Sequence, residues 1–218
     1  MQDTVKIKID FQGFWHVGSG RSSGHHLDAI CLKDNFGLPF VSGKQLKGLL
    51  RHAVRRAESW GWYQDLKFEG QIQSFEELLF GSQSQLEGRH ATFAGMLFVD
   101  NAQLSEPEYQ WLQHNKQAEL REHLYQELYS TAIDENTGTA VEHSLRGIEV
   151  TLPVQLFASL QLQVTALEEN LSKQQSELLK CQPWLVIERA LPLIDAIGAH
   201  RSRGLGEAIV SLVDNVQG

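Results

Sequence analysis

Cysteine is scarce in this chain. Only Cys31 and Cys181 occur among 218 residues, far apart and outside any Cys-x-x-Cys spacing. That excludes a disulfide framework and a cysteine-built zinc site. No apolar run approaches the ~20 residues that cross a bilayer, and no leader-like stretch opens the chain. A reducing cytoplasm is the expected location. Repeats and low-complexity tracts are missing too. Cations are outnumbered, with 19 Lys and Arg against 27 Asp and Glu for a net charge of −8, which argues against indiscriminate polyanion binding. What remains is an ordinary globular composition, long enough to bury one sizeable core.

The charge is unevenly spread. Residues 1–57 carry nine Lys/Arg against four Asp/Glu, whereas residues 58–200 carry eight against twenty-one. The basic part centres on GLPFVSGKQLKGLLRHAVRRAESW, Gly37 to Trp60. Ser42 with Gln45 predicts a capping box. Leu46, Leu49, Leu50, Ala53, Val54 and Ala57 then repeat along one apolar helical face. On the other face Lys47, Arg51 and Arg55 form one row, joined by Lys44 and Arg56. The ~1.5 Å rise per residue spaces such a row at ~6 Å, a repeat suited to successive phosphates of one strand.

Taken in order, Val5, Ile7, Ile9 and Phe11 alternate with polar residues and predict a half-buried strand. Gly18, Gly20 and Gly24 follow, at a spacing one residue wrong for a dinucleotide fingerprint and with no helix behind them. His25, His26 and Asp28 lie before AICLK, read as a short strand; they fall short of a metal-ligand set. SFEELLFGS reads as a short helix capped by Ser74 and stopped by Gly81. GMLFVDNAQL reads as a strand, and residues 107–129 as a helix. Ser130–Ser144 has loop or hairpin composition and fails the calcium-loop template. RGIEVTLPVQLFASLQLQVTAL is one long strand interrupted near Pro153, or two strands. Helices over 168–180 and 183–196, a Gly/Arg-rich loop and a final strand close the chain. The order predicts α+β, a ferredoxin- or RRM-like sheet in a single 1–218 domain with insertions at about 60–94 and 105–145.

Four segments, GLPFVSGKQLKGLLR, LFGS with GMLFVDNAQL, AIDENTGTAVEHSLRGIEV, and IGAHRSRGLGEAIV, resemble the successive motifs of the CRISPR-associated RAMP superfamily. Within it the chain looks most like the backbone (Csm/Cmr-type) subunit of type III effector complexes. The resemblance implies an RRM-like core lined up along a guide RNA beside other copies of itself and other effector subunits. It also implies a thumb-like hairpin, within Asp134–Leu145, that prises the guide–target duplex apart at intervals. Carried over, Asp28 matches the aspartate that cleaves target RNA; Gly43, Lys47 and Arg51 match the guide-binding motif; Gly198, Arg201, Arg203, Gly204 and Gly206 match the glycine-rich loop. Lys44, Arg55 and His26 complete the RNA-binding candidates. Asp28 is also the metal candidate, for Mg²⁺ or Mn²⁺, because an isolated carboxylate of ordinary pKa ~3.9 is a poor base at neutral pH. A noncatalytic guide-binding scaffold is one alternative. A RAMP endoribonuclease that processes precursor guide RNA through His16, His25 or His26 is another. Trp15, Trp60, Trp62 and Trp111 are read as packing or subunit contacts, with base stacking considered for Trp15 alone.

Overall fold

The computed structural model describes residues 4–22, 27–82 and 92–213. The alternating stretch forms strand β1, Thr4–Phe11, with Ile7, Ile9 and Phe11 buried and Lys6, Lys8 and Asp10 on the other side. Helix α1, Gly43–Ser59, begins where the Ser42 hydroxyl accepts the Gln45 N–H at 3.3 Å. Its Leu46, Leu50, Ala53, Val54 and Ala57 enter the same core. Burying each large aliphatic side chain there contributes about 1.5–3 kcal/mol.

The remaining elements are α2 (Phe75–Phe80), β2 (Leu97–Val99), α3 (Glu106–Leu112), α4 (Ala118–Glu122), β3 (Tyr125–Ser130), β4 (Arg146–Thr151), β5 (Gln155–Leu162), α5 (Glu169–Lys180), α6 (Pro183–Ala190) and β6 (Ala208–Leu212). The main sheet runs β2-β5-β1-β6, every neighbouring pair antiparallel. β1 and β2 are therefore parallel to each other with β5 between them, and β5 and β6 are parallel with β1 between them. Two split β-α-β units interlock, which is the ferredoxin-like arrangement of an α+β fold.

Between β2 and β5 the chain leaves the sheet to build a second one, the antiparallel hairpin β3–β4. Its connection, residues 131–145, carries exposed Ile133, Val141 and Leu145. At its tip Asp134 Oδ1 accepts the N–H groups of Asn136 and Thr137 at 2.8 and 2.9 Å, and Ile133 bridges Ala140. This is the thumb-like projection, rooted earlier in the chain than its loop composition suggests.

Three local expectations change, and one open alternative, the long alternating run, resolves into two strands. Tyr125–Leu128 belongs to a strand, because pairing with β4 overrides the helical spacing that read 107–129 as one helix. The AICLK stretch makes only isolated bridges, Ala29 with Ile148, Cys31 with Gly18 and Lys33 with Pro39. The long alternating run divides into β4 and β5 on either side of Pro153, whose ring has no N–H to give a ladder. The predicted 183–196 helix stops at Ala190 and tightens into a 3₁₀ turn at Leu191–Leu193. QSQLEGRHATF, residues 83–93, has the composition of a loop; its residues 83–91 lie outside the described residues.

Candidate nucleic-acid interface

The cationic row of α1 folds as read but is not a row of free charges. Glu76, on α2, meets two of its members. Arg51 Nε donates to Glu76 Oε1 at 2.6 Å, and Arg55 donates through Nε and Nη2 to both carboxylate oxygens at 2.8 and 2.6 Å. Arg51 Nη2 also donates to the Gly81 carbonyl at 2.9 Å. The Glu76 side chain is 7% exposed, and Arg55, then Arg51, hold its carboxyl below the usual carboxylate range. Lys47 Nζ donates to the Leu97 carbonyl at 2.6 Å; burial, and secondarily the Arg51 charge, lower its pKa. The row thus ties α1 to α2 and β2. Glu58 adds a second carboxylate at this junction, accepting the Phe75 and Glu76 N–H groups at 2.9 and 3.2 Å, so the three cations of the row face two acids. Lys44 is exposed and makes no ion pair among the described residues. Sequence reasoning missed Glu76 as a partner because its place in a first helical turn already explained an acid there.

Gly43 has a structural reason of its own. Its N–H donates to Asn101 Oδ1 at 2.8 Å, and a Cβ there would stand 2.2 Å from the Val99 carbonyl oxygen. The glycine lets the first turn of α1 lie directly on the end of β2.

The glycine-rich loop is held by backbone on both sides. Ala199 N–H donates to the His16 carbonyl and Gly206 N–H to the Phe14 carbonyl, each at 2.8 Å. A Cβ on Gly198 (φ 107°) would stand 2.3 Å from the His16 oxygen, and one on Gly206 (φ 80°) 2.1 Å from the Ile197 oxygen. Between them Arg201–Arg203 forms a 3₁₀ turn that Gly204 closes at φ 81°, with open space where its Cβ would be. Arg201, Arg203 and Gly204 are exposed, and neither arginine forms an ion pair among the described residues. These contrasts give a prediction. Gly206→Ala should lower stability by about 2 kcal/mol or more, since strain and clash combine. Gly204→Ala should cost about 1 kcal/mol. Urea denaturation compares the two, and equal losses would contradict the packing argument.

The same segment, 14–17, is clasped from its other side by β4. Trp15 and Thr151 exchange backbone hydrogen bonds at 3.1 and 2.8 Å. His16 is 3% exposed, and its Nδ1 donates to the Glu149 carbonyl at 2.6 Å, which places the proton of a neutral ring on Nδ1. The Glu149 carboxylate accepts from the Cys31 N–H at 2.8 Å and from Lys33 Nζ at 2.7 Å. Lys33 also lies 3.7 Å over the Tyr125 ring. Burial pushes the Cys31 thiol up to about 11, so it stays protonated and donates to the Glu149 carbonyl at 3.3 Å. His16 is a structural pin of the thumb root, and Trp15, 1% exposed and stacked on Phe11 at 4.2 Å, is closed to a nucleobase. Glu149 was missed because strand alternation alone does not tell a polar joint from a solvated position.

Asp28 sits at this root. Its N–H donates to the Gly147 carbonyl at 2.8 Å, and Gly147 N–H donates back to Asp28 Oδ2 at 3.1 Å. The side chain is exposed and locked in register with the first residues of β4. As a metal site it offers one carboxylate; among the described residues no group of three or more His, Cys, Asp or Glu could hold an ion. A single carboxylate fits Mg²⁺ or Mn²⁺ only as an ion shared with a substrate phosphate and water. His26 and His25 lie outside the described residues.

No helix among the described residues is long and apolar enough to cross a membrane. Comparison with curated proteins yields no significant match. Among solved structures, the chain is similar to a subunit of the type III-B Cmr-beta complex seen by cryo-EM bound to cognate target RNA, with a TM-score of 0.64 and 11% identity over 96% of each chain. The apo-state structure of Cmr-beta gives 0.60 and 11%, covering 97% of this chain and 98% of that one. At such identity the likeness is one of fold. A sequence model of the RAMP superfamily matches residues 8–209, and the chain belongs to that superfamily.

Proposed function

We propose that this protein is an RNA-binding backbone subunit of a type III effector complex, which holds guide RNA and cleaves complementary target RNA at regular intervals. The observation that carries the reading is the Asp28–Gly147 pair: the one exposed acid matched to cleavage is bonded to the root of the thumb. Whatever strand the hairpin displaces is delivered to that carboxylate. RNA supplies the nucleophile, its 2′-hydroxyl. The 2′ oxygen bonds to phosphorus as the bond from phosphorus to the 5′ oxygen breaks; a proton leaves the first oxygen and one reaches the second. The ends are a 2′,3′-cyclic phosphate and a 5′-hydroxyl. Holding the linkage in line can supply several kcal/mol. A divalent ion, if bound at Asp28, would stabilise charge on the phosphate. Asp28 itself orients the linkage or takes the 2′ proton.

Guide binding falls to Lys44, Arg201 and Arg203, whose charges face solvent, with Lys47, Arg51 and Arg55 adding positive potential behind them. Phosphate contacts of this kind fix register, while base pairing reads sequence. In the assembled complex, changing Lys44, Arg201 and Arg203 together to alanine should weaken guide binding and reduce the slope of log K against log salt by about 2, at roughly 0.7 per single-strand contact. An unchanged slope would mean that these cations are merely solvated.

A further inference from the structure

We propose that the cavity on the outer face of the main sheet, with Lys6 on one side, Asp100 on the other and Phe157 at its floor, is a binding site for a guanine base. This goes beyond the functional reading above and does not depend on Asp28.

A bulge just beyond β2 makes the cavity. Asp100 N–H donates to the Ser159 carbonyl at 3.0 Å, and Gln103 exchanges backbone hydrogen bonds with Phe157 at 3.0 and 2.7 Å. Two residues, Asn101 and Ala102, therefore stand opposite the single Ala158, the count that defines a bulge. Ala102 turns away to exchange backbone hydrogen bonds with Val41 at 2.9 and 3.0 Å, and Asn101 Oδ1 takes the Gly43 N–H. The chain from Ser105 to Pro107 then walls off about 650 Å³ beside β5 and β1, within the ~300–1,000 Å³ of small-ligand sites.

Register and charge set what fits. Asp100, Ser159 and Lys6 lie in one row across three strands. The backbones that bear the acid and the cation are therefore about 10 Å apart, two strand spacings. Lys6 and Asp100 are exposed, and neither side chain has an ion pair or hydrogen bond among the described residues. The same holds for the Gln103 amide and the Ser159 hydroxyl. On that face Lys8 and Asp10 do reach each other, at 3.9 Å. The cavity thus keeps an acceptor on one wall, a cation on the other and a partly buried aromatic ring between them. Guanine is the base that meets all three. Its N1–H and N2–H₂ are adjacent donors for the two oxygens of one carboxylate, its O6 and N7 are acceptors that lysine reads, and its face stacks on the ring. Adenine and cytosine place a ring-nitrogen acceptor beside their amino group, and uracil flanks its one N–H with carbonyls, so each turns a lone pair on Asp100. Asp100 and Glu106 together outnumber Lys6 in the lining, so the base enters and its phosphate stays outside.

The test uses the purified full chain and ligand-observed NMR titrations with guanosine monophosphate (GMP) and with the adenosine, cytidine and uridine monophosphates. GMP is expected to bind roughly tenfold or more tighter than the other three, the worth of one good bidentate pair. Guanosine should match GMP, with little salt dependence, because the phosphate makes no contact. Asp100→Asn should weaken GMP roughly tenfold and erase the preference, and Lys6→Met should weaken GMP as well. Phe157→Leu should weaken all four nucleotides roughly tenfold. Lys6 and Asp100 are exposed, so their variants should keep the wild-type melting temperature. A short oligouridine carrying one guanosine separates the two sources of the base. Binding at least as tight as GMP means that a strand supplies it; binding no tighter than plain oligouridine means that a free nucleotide does. Either result, with the preference for GMP, supports the site. No binding, equal binding of the four nucleotides, or GMP binding unchanged in both Asp100→Asn and Lys6→Met overturns it. Loss of assembly with other subunits in Asp100→Asn also overturns it, because the cavity would then be a protein contact. Cleavage at Asp28 is read separately, and its absence would remove the functional reading without touching this site.

Discussion

Asp28→Asn is expected to lower target cleavage about a thousandfold, within the 10²–10⁴ range for a positioned acid–base group, while guide and target binding stay within twofold. Asparagine is the informative replacement. Its side-chain oxygen can still accept the Gly147 N–H that Asp28 Oδ2 accepts at 3.1 Å, and the backbone bond from residue 28 to Gly147 does not involve the side chain. Thumb and acid position therefore keep their register, and only the charge is lost. Asp28→Ala removes the acceptor as well, so a larger loss in Ala than in Asn measures positioning separately from charge. Cleavage is read on end-labelled target in the assembled complex, with and without EDTA. Cutting by Asp28→Asn at the wild-type rate would leave the protein a binding scaffold or place the chemistry elsewhere. Metal-free processing of a guide precursor would direct attention to histidine instead.

Glu76→Gln should destabilise the fold by about 3 kcal/mol, the low end for losing one partner of a buried ion pair. One carboxylate, 7% exposed, receives both Arg51 and Arg55; the amide leaves two guanidiniums facing each other without a counter-charge. The low end applies because the Arg55 side chain is 48% exposed and water screens part of the effect. At this chain length the melting temperature should fall by roughly 6–12 °C. The pH dependence has a definite sign. The Glu76 carboxyl titrates lower in the folded protein than in the unfolded chain, so its contribution is complete above the unfolded carboxylate range and disappears as pH falls through the folded value. Wild type and Glu76→Gln should therefore converge in acid. Urea denaturation at pH 7 and at successively lower pH checks both statements. A difference below about 0.5 kcal/mol at pH 7, the scatter of ordinary surface substitutions, would show that α1 carries its arginines without help from α2.

That pair of arginines shows where reading the sequence stops. Periodicity placed Lys47, Arg51 and Arg55 on one face of a helix, and they are there. Periodicity is local, however, and Glu76 lies 25 residues beyond Arg51 with its position in α2 already accounted for. Tyr125–Leu128 shows the reverse failure, where a 3.6-residue repeat of large side chains yields to strand pairing with residues some twenty positions later. His16 was open to a chemical reading until the fold buried it against Glu149. The glycines at 198 and 206 were legible as a motif, but not as places where two backbones touch.

The residues alone determined the alternation of β1, the apolar face and cap of α1, the break at Pro153, and the order of motifs that marks the superfamily. Each depends on near neighbours in the chain, through side-chain period, capping and backbone restriction. Only the tertiary structure decided which charges are spent inside the protein, which histidine is a pin, and that Asp28 is bonded to the first residues of β4. Those depend on contacts between residues from 21 to 133 positions apart, where burial and pairing outweigh anything a local pattern encodes.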